Sequence, residues 1–209
     1  MRMIIFFVHQ NLKNLPLSKI LDIEKINNVD KPIEVANGLP NECYTNQDYL
    51  AHEKEKIFYN IWTAIGVGSS IPKTGDAKPY NLLGIPLILI RDKNMDVRVF
   101  HNVCSHRGFK LLDKACKLKN VIRCPYHSWA YDFNGQLVAT PHIGGLNNHQ
   151  STNFNKTKSN LKEVKTKLWM DIIFVNINSN ELDFDQYIKP LEELSLIHIS
   201  EPTRRRGIS

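Results

Sequence analysis

The sequence predicts a mainly β, antiparallel domain preceded by an N-terminal helical segment. Three observations carry this. Ile85-Pro-Leu-Ile-Leu-Ile-Arg91 is a short apolar run, and Val97-Arg-Val-Phe-His-Asn-Val103 alternates with the two-residue period of a strand. Tyr131–Phe133 and Gln136–Val138 flank Asn134-Gly135, a strong short-range hairpin signal. Leu50, Ile57, Phe58, Ile61 and Trp62 instead fall on one helical stripe.

Taken in chain order, residues 1–40 are Asn-rich, weakly patterned and broken by Pro16, Pro32 and Pro40, so an extended or loosely held arm is expected. An introductory helix is expected within residues 41–62, running from about Asn46 to Trp62. Thr45 with Asp48 resembles a capping box in which Asp replaces Glu. The β body is expected over residues 63–178. Its last strand candidate is the continuous stretch Leu168-Trp-Met-Asp-Ile-Ile-Phe-Val-Asn176. Residues 179–193 read as the start of a link, and a second helix is expected from Asp183 to Glu193.

Composition excludes several classes. Apolar residues are 42% and charged residues 23% of the 209, which is ordinary globular usage rather than that of a disordered or fibrous chain. No apolar run approaches the roughly 20 residues of a membrane-spanning helix, so no membrane partner is expected. Met3–Val8 is shorter than a signal-peptide core, and no cleavage site follows it. Four Cys make no disulfide scaffold, which points to a reducing cytoplasm.

The chemistry sits in two short segments, Cys104-Ser105-His106 and Cys124-Pro125-Tyr126-His127. Each supplies one thiol and one imidazole. Four soft or borderline ligands in two close pairs call for a metal or cluster. In a Rieske [2Fe–2S] centre two Cys and two His hold the irons, and the neutral imidazoles raise the potential. A structural zinc site using the same four side chains is the alternative, although zinc motifs usually pair Cys with Cys across a tight turn.

The surroundings extend the match. Arg91-Asp-Lys93, Phe100-His-Asn-Val-Cys-Ser-His-Arg-Gly108 and Arg123-Cys-Pro-Tyr-His-Ser-Trp-Ala-Tyr-Asp-Phe-Asn-Gly135 strongly resemble the Rieske domain of ring-hydroxylating oxygenase α subunits. Tyr44–Trp62, Pro72–Asp76, Gly84–Pro86 and Trp169–Asn176 share the likeness, which covers roughly Leu39 to Ile188. The resemblance implies a Rieske-type fold, in which stacked small sheets carry two ligand loops. It implies Cys104 and Cys124 on one iron, and His106 and His127 on the other. Arg107 would support a ligand and a docking partner, Gly108 would allow close backbone approach, and Trp129 would shield the cluster.

Phe109 and Tyr126 stand where respiratory Rieske proteins carry a disulfide, so the oxygenase type is implied. Ser128 stands where the family often has Gly, a departure expected to concern loop packing. An NAD(P)H-dependent reductase, a ferredoxin, a homotrimer (or assembly with a β subunit) and a mononuclear Fe(II) in a C-terminal domain all follow by resemblance. Members act on aromatic rings, and close relatives act on quaternary amines. A stand-alone Rieske ferredoxin is the alternative. Cys116 reads as a free thiol, and Cys43, His52, His101, His142 and His149 as structural or exposed.

Charge divides unevenly. The formal +6 includes three consecutive Arg at 204–206, in a chain that otherwise prefers Lys. Residues 194–209 resemble a translated transposase sequencing adapter, so a non-native tail is expected, with the natural frame interrupted near Glu193. Finding those codons in natural genomic DNA contradicts this. Between the ligand segments, Arg107, Lys110, Lys114, Lys117, Lys119 and Arg123 oppose Asp113 alone, a net +5. Beside a redox centre, this suits an acidic electron donor better than nucleic acid.

Overall fold

The computed structural model describes residues 22–149, 151, 154–178 and 182–200. Most of the expected arm therefore lies outside the described residues. The chain divides after Ile61 into two compact units.

In the first unit, part of the arm is helical. Helix α1 (Ile23–Asn27) starts where Asp22 accepts a hydrogen bond from the Glu24 backbone N–H at 3.0 Å. A short α2 (Glu42–Thr45) precedes α3 (Gln47–Glu53). The cap of α3 is Asn46, not Thr45: its Oδ1 accepts from the N–H groups of Asp48 and Tyr49 at 2.8 and 3.1 Å. The helix then widens into a π turn over Lys54–Phe58 and stops short of Trp62. The wider turn breaks the 3.6-residue phase, so Ile57 of the expected stripe is exposed.

The sheets of the second unit are antiparallel throughout. Its strands are β1 (Thr63–Val67), β2 (Asp76–Leu82), β3 (Ile85–Arg91), β4 (Val97–His101), β5 (Cys116–Lys117), β6 (Ile122–Arg123), β7 (Ala130–Tyr131), β8 (Leu137–Ala139), β9 (Glu163–Trp169) and β10 (Ile172–Asn176). Seven form one sheet in the order β1-β10-β9-β4-β3-β2-β5, and β6-β7-β8 form a second. The apolar run of β3 makes it central, because both of its faces are covered. Ile88 and Ile90 enter the core that β3 shares with Phe100, Ile122, Trp129, Tyr131, Phe133 and Leu137, whereas Leu87 and Leu89 are buried on the other face. The core thus lies between the two sheets, at the base of both Cys/His segments.

Two turns differ from expectation. The continuous strand expected over 168–176 is the end of β9, a two-residue turn and β10, with Trp169 opposite Ile172. Met170 and Asp171 both take positive φ (47° and 65°), the backbone of a tight hairpin turn without its usual Asn-Gly. The Asp171 carboxylate holds this turn by accepting from the Ser69 N–H at 3.1 Å. At the second turn Asn134-Gly135 does connect β7 to β8, but through a longer loop in which only Gly135 is left-handed (φ 77°). Asp132 Oδ1 accepts there from the N–H groups of Asn134 and Gln136. A Cβ on Gly135 would sit 2.5 Å from the buried Phe100 ring, so only Gly fits.

The β3–β4 hairpin is tied by charge. Asp92 is buried, and its Oδ1 accepts from the Asn94 and Asp96 N–H groups at 2.8 and 2.9 Å. Its Oδ2 pairs with Arg98 Nε at 2.9 Å, and Arg98 also reaches Glu163 at 2.8 Å. Arg91 donates to the carbonyls of Ile71, Met95 and Gly68.

Helix α4 (Phe184–Ser200) begins where Asp183 Oδ1 accepts from the Gln186 N–H at 2.9 Å. It begins within the expected segment, continues past Glu193 and tolerates Pro190 in its interior. Phe184 and Ile188 pack with Trp62 and Phe174 in a smaller core. Among the described residues, no helix is long and apolar enough to cross a membrane.

Candidate metal centre

The two Cys/His segments fold into loops with the same backbone frame. In the first, the Cys104 N–H donates to the Phe109 carbonyl and the Gly108 N–H to the Cys104 carbonyl, both at 2.8 Å. In the second, the Cys124 N–H donates to the Trp129 carbonyl at 2.8 Å, and the Ser128 N–H to the Cys124 carbonyl at 3.0 Å. Each frame needs a left-handed residue four places after its Cys. Gly108 supplies it at φ 66° and Ser128 at φ 59°.

The Ser128 departure is therefore a backbone matter rather than one of packing. A non-Gly residue in this region costs about 1–2 kcal/mol, partly offset by the extra unfolded-state freedom of Gly. Ser128→Gly should raise stability by about 0.5–1 kcal/mol in chemical unfolding. A variant less stable than the wild type contradicts this.

The loops bring thiol to thiol and imidazole to imidazole. Cys104 and Cys124 are buried, close enough for each thiol to be felt by the other. Burial pushes the Cys104 thiol up, against the opposing pull of the Tyr131 hydroxyl. His106 and His127 are half-buried nearer the surface, their rings 4.8 Å apart. Burial, then the neighbouring His127 and Arg107, lowers the His106 pKa and favours the neutral imidazole that a metal needs.

Aromatic rings hold both imidazoles. The Trp129 indole stacks on His106 at 4.5 Å and 9°, and is itself met edge-on by Phe154. Tyr126 lies 3.7 Å from His127 and touches Phe109 of the other loop at 5.4 Å. Behind the first loop, Asn102 is buried and fixes the chain, with Oδ1 accepting from the Leu111 and Leu112 N–H groups at 3.0 and 2.9 Å.

A second polar group reaches the sulfur side. Tyr131, buried on β7, places its hydroxyl 3.2 Å from Cys104 Sγ and 2.8 Å from Ser105 Oγ. Sequence reasoning saw Tyr131 only as a strand residue and Ser105 only as a spacer. The available signal was a tyrosine in a strand candidate, whose hydroxyl must find a partner when buried.

The donor set fits a two-iron cluster. Two thiols and two imidazoles grouped by type are the Rieske complement. His127 Nδ1 is buried and without a hydrogen-bond partner, a costly state for an imidazole nitrogen unless it binds something. Among the described residues, no three His, Cys, Asp or Glu side chains converge on a point that would hold a single metal ion. Other candidates stay apart from this set. Cys116 is half-buried on β5, and Cys43 and His52 lie in the first unit. His101 is half-buried on β4. His142 and His149 are exposed and pack together, each Nδ1 accepting a backbone N–H at 3.0 Å.

Comparison with known proteins agrees with this chemistry. Residues 61–150 match the family model of the Rieske [2Fe-2S] domain. The chain is 32% identical over 153 residues to the carnitine monooxygenase oxygenase subunit of Escherichia coli, covering 73% of this chain and 40% of that protein. It is 28% identical to the benzene 1,2-dioxygenase subunit alpha of Pseudomonas putida over 158 residues, covering 74% of this chain and 34% of that one. A crystal structure of the apo form of a quaternary ammonium Rieske monooxygenase superposes with a TM-score of 0.67 at 30% identity, over 75% of this chain and 44% of the other. The chain thus spans about two fifths of the length of the first of these relatives. Residues 61–150 are therefore a Rieske [2Fe–2S] domain, in a chain homologous to the Rieske-bearing part of oxygenase α subunits.

Proposed function

We propose that the chain is the electron-transfer portion of an oxygenase α subunit, with Cys104 and Cys124 on one iron of the cluster and His106 and His127 on the other. The cluster supplies reversible one-electron chemistry. The protein's own part is to bury the thiols, favour the neutral form of the His106 imidazole, and hold both imidazoles nearer the surface against aromatic rings. The unpartnered Nδ1 of His127 is the observation that carries the reading. Residues 63–178 form the electron-transfer domain in this view, and 179–193 begin the link toward a catalytic domain. Electrons come from an NAD(P)H-dependent reductase, directly or through a ferredoxin, in a cytoplasmic setting. They pass to a mononuclear non-haem Fe(II), in a homotrimer or an assembly with a β subunit, for O2-dependent hydroxylation or demethylation. The relationship to the carnitine monooxygenase subunit extends over 153 residues, beyond the 90 of the domain itself, and favours this over a stand-alone ferredoxin.

The basic segment between the loops forms the donor's docking face. At the surface, Lys110 pairs with Asp113 at 2.9 Å and Lys117 with Asp76 at 3.1 Å. Such exposed pairs are weak, so the field of the patch survives them. Reversing Lys114, Lys117 and Lys119 to Glu should slow stopped-flow reduction by a chemically reduced acidic ferredoxin about tenfold at low salt, and remove its salt dependence. Unchanged kinetics would dispose of the docking face.

A further inference from the structure

The hydrogen bonds around Tyr131 leave one proton with two claimants. The Ser105 hydroxyl donates to the Ser159 carbonyl, which has no proton to give in return. Ser105 Oγ can then meet Tyr131 only as an acceptor, at 2.8 Å. Cys104 Sγ, as a thiolate ligand, is also an acceptor, at 3.2 Å from the same Tyr131 oxygen. The Ser105 backbone N–H donates to that oxygen at 3.2 Å and holds it in place without competing for its proton.

A hydrogen bond to a ligand sulfur stabilises the more negative, reduced cluster more than the oxidised one, and so raises the potential. We infer that Ser105 is a positioning residue that lowers the cluster's reduction potential, by drawing the Tyr131 proton away from Cys104 Sγ toward its own Oγ. The inference rests on the ligand assignment proposed above. It gives Ser105 and Tyr131 opposite signs, although they touch each other. Removing the Ser105 hydroxyl releases the proton to sulfur, whereas removing the Tyr131 hydroxyl leaves sulfur without a donor.

The test is a spectroelectrochemical titration of the cluster-loaded 209-residue chain. Each cluster takes one electron from the mediator, and no protein bond is made or broken. Ser105→Ala should shift the equilibrium about threefold toward the reduced form, an upward change of about 30 mV for a one-electron couple. Ser105→Gly should do the same, and either variant suffices if the other does not fold. Ser105→Thr, which keeps the hydroxyl, should stay at the wild-type potential. Tyr131→Phe should move the potential down, and Ser105→Ala/Tyr131→Phe should match Tyr131→Phe alone, because no proton remains to be shared. A potential at or below wild type in Ser105→Ala and Ser105→Gly, or additive shifts in the double variant, overturns the inference. A wild-type chain without a Rieske spectrum overturns the ligand assignment instead.

Discussion

Replacing His106 or His127 by Ala is expected to abolish the Rieske optical and EPR signals, while His142→Ala leaves them intact. The two ligand positions are special for separate reasons. His127 has a buried Nδ1 with no hydrogen-bond partner. Leaving such a nitrogen unsatisfied costs about 1–3 kcal/mol, a cost that ligation removes; His101 Nε2 is also buried and unpartnered, but it lies on β4 outside the two loops. His106 is pinned flat against Trp129 at 4.5 Å and cannot swing away. In the proposed assignment, alanine at either place would leave one iron short of a ligand and open the cluster to water. His142 has an Nδ1 already occupied by the Asn147 N–H, and its ring is exposed. Replacing His106 or His127 by Cys adds a thiolate, and any cluster retained should titrate at lower potential, because imidazole in place of thiolate is what raises it. Retention of unchanged Rieske signals in either Ala variant contradicts the assignment.

Asp92→Ala should be the most destabilising single change outside the ligand loops, at about 3 kcal/mol. The buried carboxylate satisfies two backbone N–H groups of the β3–β4 turn and anchors Arg98, which in turn crosses to Glu163 on β9. Its removal leaves two part-buried backbone donors of the turn unpaired and strands part of a cation, against a domain stability of only about 5–15 kcal/mol. Urea unfolding should show a lower midpoint at unchanged slope. A loss below about 1 kcal/mol would contradict the role. The same carboxylate gives a pH signature. Burial pushes its pKa up, but hydrogen bonds from Arg98, Asp96 and Asn94 outweigh this and hold it below the ordinary value. A depressed folded pKa contributes stability above the unfolded value near 4, lost as pH falls through the folded one. Wild type should therefore lose stability more steeply than Asp92→Ala below about pH 4.

Much of this was legible in the residues. The Cys/His spacing singled out the four side chains that the loops bring together. The apolar run of β3 marked the strand covered on both faces. What escaped had no local signal. Met170-Asp171 turns the chain without Gly or Asn, because Asp171 is tied to Ser69 across 102 residues of sequence. The π turn at Lys54–Phe58 shifts the helical phase in a segment whose composition is ordinary for a helix. The shared proton of Tyr131 depends on Ser159, a residue 54 positions beyond Ser105 that no motif connects to it. Distances closed by the tertiary fold are invisible to spacing and periodicity.

The central claim is that two thiols and two imidazoles hold a [2Fe–2S] cluster. It is tested most directly by metal and acid-labile sulfide analysis of the purified chain, with EPR of the dithionite-reduced sample. The account predicts about two iron and two sulfide per chain, with the Rieske EPR signal. One zinc per chain with no labile sulfide would contradict it.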